Sequence, residues 1–444
     1  MAGGTWIDQN KVRPGVYINY KSAPASLSTM GERGVVAIAR VLDWGERGKM
    51  YIIEDPSDCV QLNHSITDDE MLFVRQILLG SNRTQGATKI LVWSLNTTGT
   101  AAVKASLTLT NLVATAKYEG AFGNRLGVSV VEGTGSDYII STSLDGEVVD
   151  SQTVTAITGL TDNEYIKWSG TGALAEGSGS LTGGTNGVAG ASDYDPFIEQ
   201  LKISKFDVVI YDGTNSTVKG SFANLVKSQS NEEGSKCQAV ISDASSPDNE
   251  CIINVYPQSV TLADGSTLAA SELTWWVGGA TAGANVFDSL TYAAYPDAVS
   301  INPILTSSQQ EAAINAGKFA LISQFDKIQV LTDINSFTTF SVEKGKAFRK
   351  NRVIRTVFGL CNDIYRTFAL YYIGAVHNDE EGRKALKAEI LDLMNKYQGN
   401  RALQNVEAED VTVLQGVDSD AVIIEIYCQP VDSIEKIYIN ITIS

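Results

Sequence analysis

Histidine is nearly missing from this chain: His64 and His377 are the only two in 444 residues. A Ser/His/Asp or Cys/His arrangement therefore has little to draw on, and neither histidine has a companion at metal-ligand spacing. Both are read as surface or loop residues. Cysteine is sparse too. Cys59, Cys237, Cys251, Cys361 and Cys428 form an odd set with no C-x-x-C spacing, which argues against a disulfide framework and for reduced, mostly buried thiols in a cytosolic product. No apolar run reaches the roughly eighteen residues of a membrane span, and Met1-Ala2-Gly3-Gly4 begins no signal peptide. Direct membrane insertion and export by the general pathway are not expected. Lys and Arg number 34 against 51 Asp and Glu, a formal charge of -17. That excludes a phosphate-binding face, and with it nucleic acid, over most of the surface.

Motifs for small-molecule chemistry are equally thin. No G-x-x-x-x-G-K-[ST] loop occurs. Gly170-Thr171-Gly172-Ala173-Leu174-Ala175 mimics a dinucleotide fingerprint, but no helical pattern follows it. Asp379-Glu380-Glu381 suggests a metal only until its place is considered, since acidic residues in a first helical turn are ordinary dipole partners. No catalytic residue, cofactor or metal site is expected.

What is present is a globular composition, 43% hydrophobic, with 39 Gly and only 9 Pro, in a chain long enough for several cores. Gly34 to Ala39 reads as a buried strand. Thr67-Asp68-Asp69-Glu70 reads as a capping box for a helix through Met71, Val74 and Leu78 to Gly80, and Lys89 to Trp93 as the next strand. From about Ala101 to Gly190 short alternating runs are separated by Gly, Asp and Ser turns, so this part is an all-β insertion whose last stretch, Gly177 to Gly190, reads as loops or a linker. The α/β signal then returns, with strands at Phe206 to Tyr211 and Gln238 to Ser242. An apolar helix containing Trp275 and Trp276 closes on Gly278-Gly279. Val353, Val357, Leu360, Ile364, Phe368 and Tyr371 keep helical spacing, and Asn378 is placed to cap a second helix carrying Leu386, Ile390, Leu393 and Tyr397.

The expected organisation is an arm over residues 1–29, an α/β domain in two parts, 30–100 and 193–330, an inserted β-sandwich or barrel at 101–192, and a polymerisation domain at 331–444 with a terminal arm at 430–444. The fold class is α+β multidomain: α/β sandwich layers, an inserted all-β domain, and a C-terminal α/β domain completed by strands from neighbouring subunits.

That last expectation comes from the termini. Val422, Ile424, Ile426 and Cys428 alternate, and so do Ile437, Ile439, Ile441 and Ile443, up to the penultimate residue. Chain ends usually fray, so an apolar strand at the end needs a partner. Val16-Tyr17-Ile18-Asn19-Tyr20 is a second short strand with no obvious hairpin partner, followed by the small polar stretch Lys21 to Thr29. Pairing within one monomer and pairing between copies both remain open on this pattern.

One charged feature also stands out. Lys344, Lys346, Arg349, Lys350, Arg352 and Arg355 crowd into twelve residues, and Arg383, Lys384 and Lys387 begin the next helix. They form either a solvated face or a surface for an acidic partner.

Several segments, in order, resemble the contractile-tail sheath proteins of myophages, defective prophages and R-type bacteriocins. Arg13-Pro14-Gly15-Val16-Tyr17 is similar to the family's opening arm, and Lys117 to Asn124 to its "yxGxxGN" segment before the inserted domain. Trp276-Val277-Gly278-Gly279 with Asp288-Ser289-Leu290-Thr291 resembles its apolar helix and small-residue turn. Asp333-Ile334-Asn335-Ser336-Phe337-Thr338 resembles an "INTLTT"-like segment, with Ser336 and Phe337 replacing Thr-Leu, and Gln429 to Tyr438 resembles a "PVDxxEKIY" close. The resemblance implies a non-enzymatic subunit, assembled in the cytoplasm of a bacterial host into a phage tail or released bacteriocin particle. Six-membered rings of it would stack helically round a tail tube and contract, with tube, baseplate and tail-terminator proteins as further partners. It also implies donated strands over Val16, Tyr17, Ile18, Asn19 and Tyr20 and over Ile437, Tyr438, Ile439, Asn440, Ile441, Thr442 and Ile443. The acceptor would be Val422, Ile423, Ile424, Glu425, Ile426 and Tyr427. The tube-facing cations would be Arg383, Lys384 and Lys387, or alternatively Lys346, Arg349, Lys350, Arg352 and Arg355. Two other readings share features of the sequence. An α/β enzyme with an inserted β-domain shares the element order, and a non-contractile shell protein shares the polymerising termini.

Overall fold

Runs of β-branched residues without polar alternation, such as Val208–Tyr211, form strands covered on both faces, the signature of a parallel sheet between helical layers. The computed structural model describes residues 30–443 and, for the backbone alone, 2–4 and 15–17. Its central sheet has seven strands, in the order Lys318–Phe319, Ile252–Val255, Gln238–Ser242, Val208–Tyr211, Val35–Arg40, Lys89–Ser94 and Met50–Ile53. All neighbours are parallel except the last pair. Helices α1 (Leu72–Leu79), α2 (Asp195–Lys202), α3 (Ser216–Asn231), α4 (Leu273–Gly283) and α5 (Ser307–Asn315) accompany it. Ile77 and Trp276, from α1 and α4, join the core on one face, while Phe197 and Phe222, from α2 and α3, join the core on the other.

Helix α4 departs from the sequence reading. It does not close on Gly278-Gly279 but runs through both to Gly283. A Cβ at Gly279 would sit 2.0 Å from the Ile77 carbonyl oxygen, and one at Gly278 2.4 Å from Ile210 Cδ1. These glycines permit close packing against α1 and the sheet; they do not stop the helix. The cap before α1 also differs: Thr67 shares a hydrogen bond with Ser65, and Asp69–Met71 is a short 3₁₀ turn leading into the helix.

The insertion is a sandwich of a four-stranded and a three-stranded sheet, closed on Leu112, Phe122, Val128, Ile140 and Ile166. Part of the glycine-rich stretch taken as linker is an edge strand, Gly177–Ser180, antiparallel to Leu126–Glu132. Bridges Thr100–Val188, Val103–Thr185 and Ser106–Thr182 then close the base of the insertion.

Two long helices, α6 (Asn351–Tyr371) and α7 (Glu380–Gly399), dominate the C-terminal region. Asp379, one residue beyond the expected Asn378, caps α7 by accepting from the Gly382 amide at 2.8 Å. Asn378 instead donates to the carbonyls of Ser419 and Ala421, tying the start of α7 to a β-hairpin. That hairpin pairs Val411–Gln415 with Val422–Ile426, antiparallel, in register from Val411↔Ile426 to Gln415↔Val422. Val411, Val413, Ile424 and Ile426 pack toward Ile390, Leu393, Met394 and Tyr397 of α7. Helix α6 joins the two regions, since Ile354 and Phe358 belong to the sheet core and Leu360 to the C-terminal core.

At the N-terminus, Ala2–Gly4 pairs in parallel with Gly15–Tyr17, so that part of the expected arm strand has a partner within the chain. Ile18, Asn19, Tyr20 and the stretch Lys21 to Thr29 lie outside the described residues. Among the described residues no helix is long and apolar enough to cross a membrane.

Candidate functional site

The place where an α/β layer would hold a small ligand is filled by the protein itself. Counting only the parallel strands, their order reverses between Val35–Arg40 and Val208–Tyr211, the switch point at which open α/β sheets bind ligands. There Arg40 ion-pairs with Asp212, and Trp275 Nε1 donates to Asp212 Oδ2 at 2.9 Å. The Arg40 guanidinium also lies 4.8 Å from the ring centres of both Phe73 and Trp275. A salt-bridged, ring-stacked plug leaves no cradle for a phosphate. The fingerprint-like Gly170–Ala175 follows a strand but opens no helix. No group of three potential metal ligands occurs among the described residues.

His64 is a correction. It is buried, not a surface residue, with Nε2 2.9 Å from Asp43 Oδ1, Nδ1 3.0 Å from Asp68 Oδ2, and its ring edge-on to Phe122 of the inserted domain. Burial opposes its charge, yet the two carboxylates outweigh burial and raise its pKa above the ordinary histidine value. His64 is thus a ring held between two acids beside the root of the sandwich, with both nitrogens taken up by carboxylates. Cys59, Cys237 and Cys251 are buried thiols, pushed up by burial.

The C-terminal hairpin is the most incomplete element. Among the described residues neither of its outer edges has a ladder partner, and a two-stranded hairpin is marginal by itself. One face packs on α7; on the other, Leu414, Ile423 and Tyr427 are exposed. Val422, Ile423, Ile424, Glu425 and Ile426 form one of the two open-edged strands, and Tyr427 follows it. After the hairpin the chain is laddered once more, Leu403 to Pro430, with the Val431 amide donating to Ala402 O at 2.9 Å. Beyond Glu435 no ladder partner occurs among the described residues: Ile437, Tyr438, Ile439, Asn440, Ile441, Thr442 and Ile443 lie in no strand, and Ile437, Ile439, Ile441 and Ile443 are 75, 75, 83 and 92% exposed. Among the described residues the run read as a strand from the sequence has no ladder to join and is not one.

The N-terminal root is held by α6. Asp363 accepts from the Gly31 amide at 2.8 Å and from the Tyr397 hydroxyl at 2.7 Å, and lies 3.3 Å from Arg366. Burial raises the Asp363 pKa despite these donors.

The crowded cations do not make one face. Arg355 is 1% exposed, donates to the Asp288 carbonyl at 2.8 Å and lies 3.5 Å from Asp333 Oδ2, so as a partner-facing residue it is excluded. Lys350 pairs with Glu435, and Lys344 with Glu250. Arg349 stacks at 5.9 Å on Phe340, and Arg352 reaches the Arg401 carbonyl at 3.4 Å, whereas Lys346 is exposed. Charge spacing along the sequence could not separate these fates, because burial depends on what the helix start packs against. In the second set Lys384 is exposed and pairs with Glu380 at 2.6 Å, Arg383 bonds Asn378 Oδ1 at 3.0 Å, and Lys387 is half-buried.

Comparison with known proteins agrees with this geometry. Models of the phage tail sheath protein match successive parts of the chain: the beta-sandwich domain over residues 97–186, the central domain over 187–336 and the C-terminal domain over 343–444. The sheath tail protein of Desulfitobacterium hafniense superposes with a TM-score of 0.84 at 39% identity, covering 96% of this chain and 99% of its own. The phage-like element PBSX protein XkdK of Bacillus subtilis is 30% identical over the full length of both chains. The anti-feeding prophage sheath in its contracted state shares the fold, with a TM-score of 0.58 at 14% identity, over 97% of this chain and 99% of its own. These families and folds are structural parts of tails and not enzymes, and the chain belongs to the phage tail sheath protein family.

Proposed function

We propose that this chain is the subunit of a contractile sheath, polymerising as stacked six-membered rings round a tail tube by exchanging strands between copies, and contracting to drive the tube through a target cell envelope. The observation that supports this reading is that, among the described residues, a two-stranded hairpin with both edges open accompanies a terminal apolar run without a ladder partner. Adding Ile437 to Ile443 of one copy to the Val422–Ile426 edge of another satisfies both, and the other edge is open to the N-terminal arm. Charge supports the second pairing: no Lys or Arg occurs from Ala402 through Glu435, where eight acids lie, whereas the first 29 residues carry Lys11, Arg13 and Lys21 against Asp8.

Burial of four isoleucines contributes about 6 to 12 kcal/mol, opposed by about 1 to 2 kcal/mol for each arm residue ordered. Each link is therefore modest, and assembly awaits a template such as the tube. Lys384 and Lys387, with Arg383 behind them, are the cations offered to an acidic tube wall; baseplate and tail-terminator proteins bound the polymer, which forms in the bacterial cytoplasm. The arms would keep copies linked while rigid bodies move from an extended to a contracted packing. Electron microscopy of the full chain beside one ending at Val431 tests the reading. Tubes or rings from the full chain and folded monomers from the shorter one are expected; equal behaviour of the two, with a tail tube supplied, overturns it.

A further inference from the structure

Three of the segments that carried the family resemblance lie far apart in sequence and meet at one point. Thr291 ends the turn Asp288-Ser289-Leu290-Thr291, Thr332 and Asp333 open the segment before α6, and Glu435 belongs to the closing stretch. Glu435 Oε1 accepts from the Thr291 hydroxyl at 2.7 Å, and Oε2 from Lys350 and, at 3.4 Å, from the Thr332 hydroxyl. The carboxylate is 15% exposed. Behind it the contacts continue inward. Thr291 Oγ1 accepts from the Asp333 amide at 2.9 Å, and Asp333 accepts from the Leu290 amide at 3.0 Å and from Asn351 Nδ2 at 2.9 Å. Asp333 also faces the buried Arg355.

A half-buried carboxylate with three donors of its own is costly to displace. Its position matters more than its strength. Upstream, residues 429–431 are laddered to residues 402–404. Downstream, from Lys436 onward, every described residue is exposed. Among the described residues Glu435 is the last with a side-chain hydrogen bond to the body. Lys350 directly precedes α6, the helix whose Asp363 holds Gly31 at the other arm's root, about 13 residues and so about 20 Å along the helix.

We propose that Thr291, Thr332 and Lys350 form a carboxylate clasp for Glu435, and that this clasp is the pivot setting the direction in which the C-terminal arm leaves its own body to reach a neighbour. Glu435 is on this view a positioning residue. The inference rests on the strand-exchange reading above. It also accounts for Lys350 without any role at a tube, and for an acid two residues before Ile437, the first donated residue.

The test uses the full chain and the variants Glu435→Ala and Lys350→Glu, with the charge-swapped pair Lys350→Glu/Glu435→Lys as rescue and circular dichroism to confirm folding. Trypsin cleavage after Lys436 needs residues 433–436 to leave the body, so both single variants should be cut at least tenfold faster than the wild type; the swapped pair, whose new lysine adds a tryptic site, is read in the microscope, where it should regain regular tubes. In the microscope the single variants should give few or irregular tubes where the wild type gives regular ones. Unchanged cleavage rates overturn the clasp, and faster cleavage with regular tubes overturns its positioning role. The chain ending at Val431 separates the layers: if it assembles like the wild type, strand exchange itself fails, whereas its failure beside a normally assembling Glu435→Ala condemns the clasp alone.

Discussion

Arg355 and Lys346 sit nine residues apart in one run of cations, and their surroundings give them opposite roles. Removing the Arg355 guanidinium leaves the Asp333 carboxylate buried without its charge partner. Arg355→Met should therefore destabilise the chain by about 3 to 5 kcal/mol in urea unfolding, while Lys346→Met changes it by less than about 0.5 kcal/mol. Equal effects would restore the uniform solvated face. His64 makes a second residue-scale claim. Its folded pKa is raised above 6.5, so its protonation stabilises the fold fully below that value, and the contribution is lost as pH rises through the folded pKa. The melting-temperature gap between wild type and His64→Asn should be widest near pH 6 and shrink toward pH 9; a gap indifferent to pH would mean that His64 only packs. Neither role was legible in the sequence, which records charge and spacing but not the acids and rings folded against them.

At the scale of elements, periodicity located most strands and both long helices, because a buried stripe is written directly into residue type. It misjudged elements wherever glycine had two meanings. Gly278-Gly279 reads as a helix end, yet the helix runs through both, and the residues are glycine because Ile77 and Ile210 come too close for any side chain. Gly177–Ser180 reads as loop or linker, although it is a strand with Leu107 pressed against Gly179. The close packing is checkable. A methyl at residue 279 meets backbone at 2.0 Å, which α1 cannot yield without moving, so Gly279→Ala should cost about 3 kcal/mol in spite of alanine's better helix propensity. Stabilisation on that substitution, measured by chemical unfolding, would show that the glycine serves only the helix's history and not its packing. Of the C-terminal hairpin, alternation marks Val422 to Cys428 as extended, while its partner Val411–Gln415 gives no comparable signal.

For the whole molecule, the uneven spread of charge has a consequence for assembly. The chain carries -17 overall, so two copies repel at long range. On the proposed strand exchange, the N-terminal arm, where Lys11, Arg13 and Lys21 outnumber Asp8, would meet the stretch from Ala402 through Glu435 with its eight acids. Salt acts on these two effects in opposite directions: it screens the general repulsion, which favours association, and it screens the attraction between arm and hairpin, which slows it. At low ionic strength the Debye length is about 30 Å, long enough for an arm to feel the hairpin before contact, and at 1 M it is about 3 Å. Which effect governs the rate can be read by light scattering during tube-templated assembly. If the arm is steered, Lys11→Glu/Arg13→Glu/Lys21→Glu should slow assembly several-fold at low salt and match the wild type at high salt, and reversing the exposed Glu409, Asp418 and Asp420 to lysine in the same chain should return much of the lost rate. Those three acids are chosen because Glu407 and Asp410 bond each other's turn and Glu435 holds the clasp. A triple variant that assembles at the wild-type rate at every salt concentration would leave apolar burial alone to bring the arms home, and the acids of the hairpin would then serve only to keep unassembled copies apart.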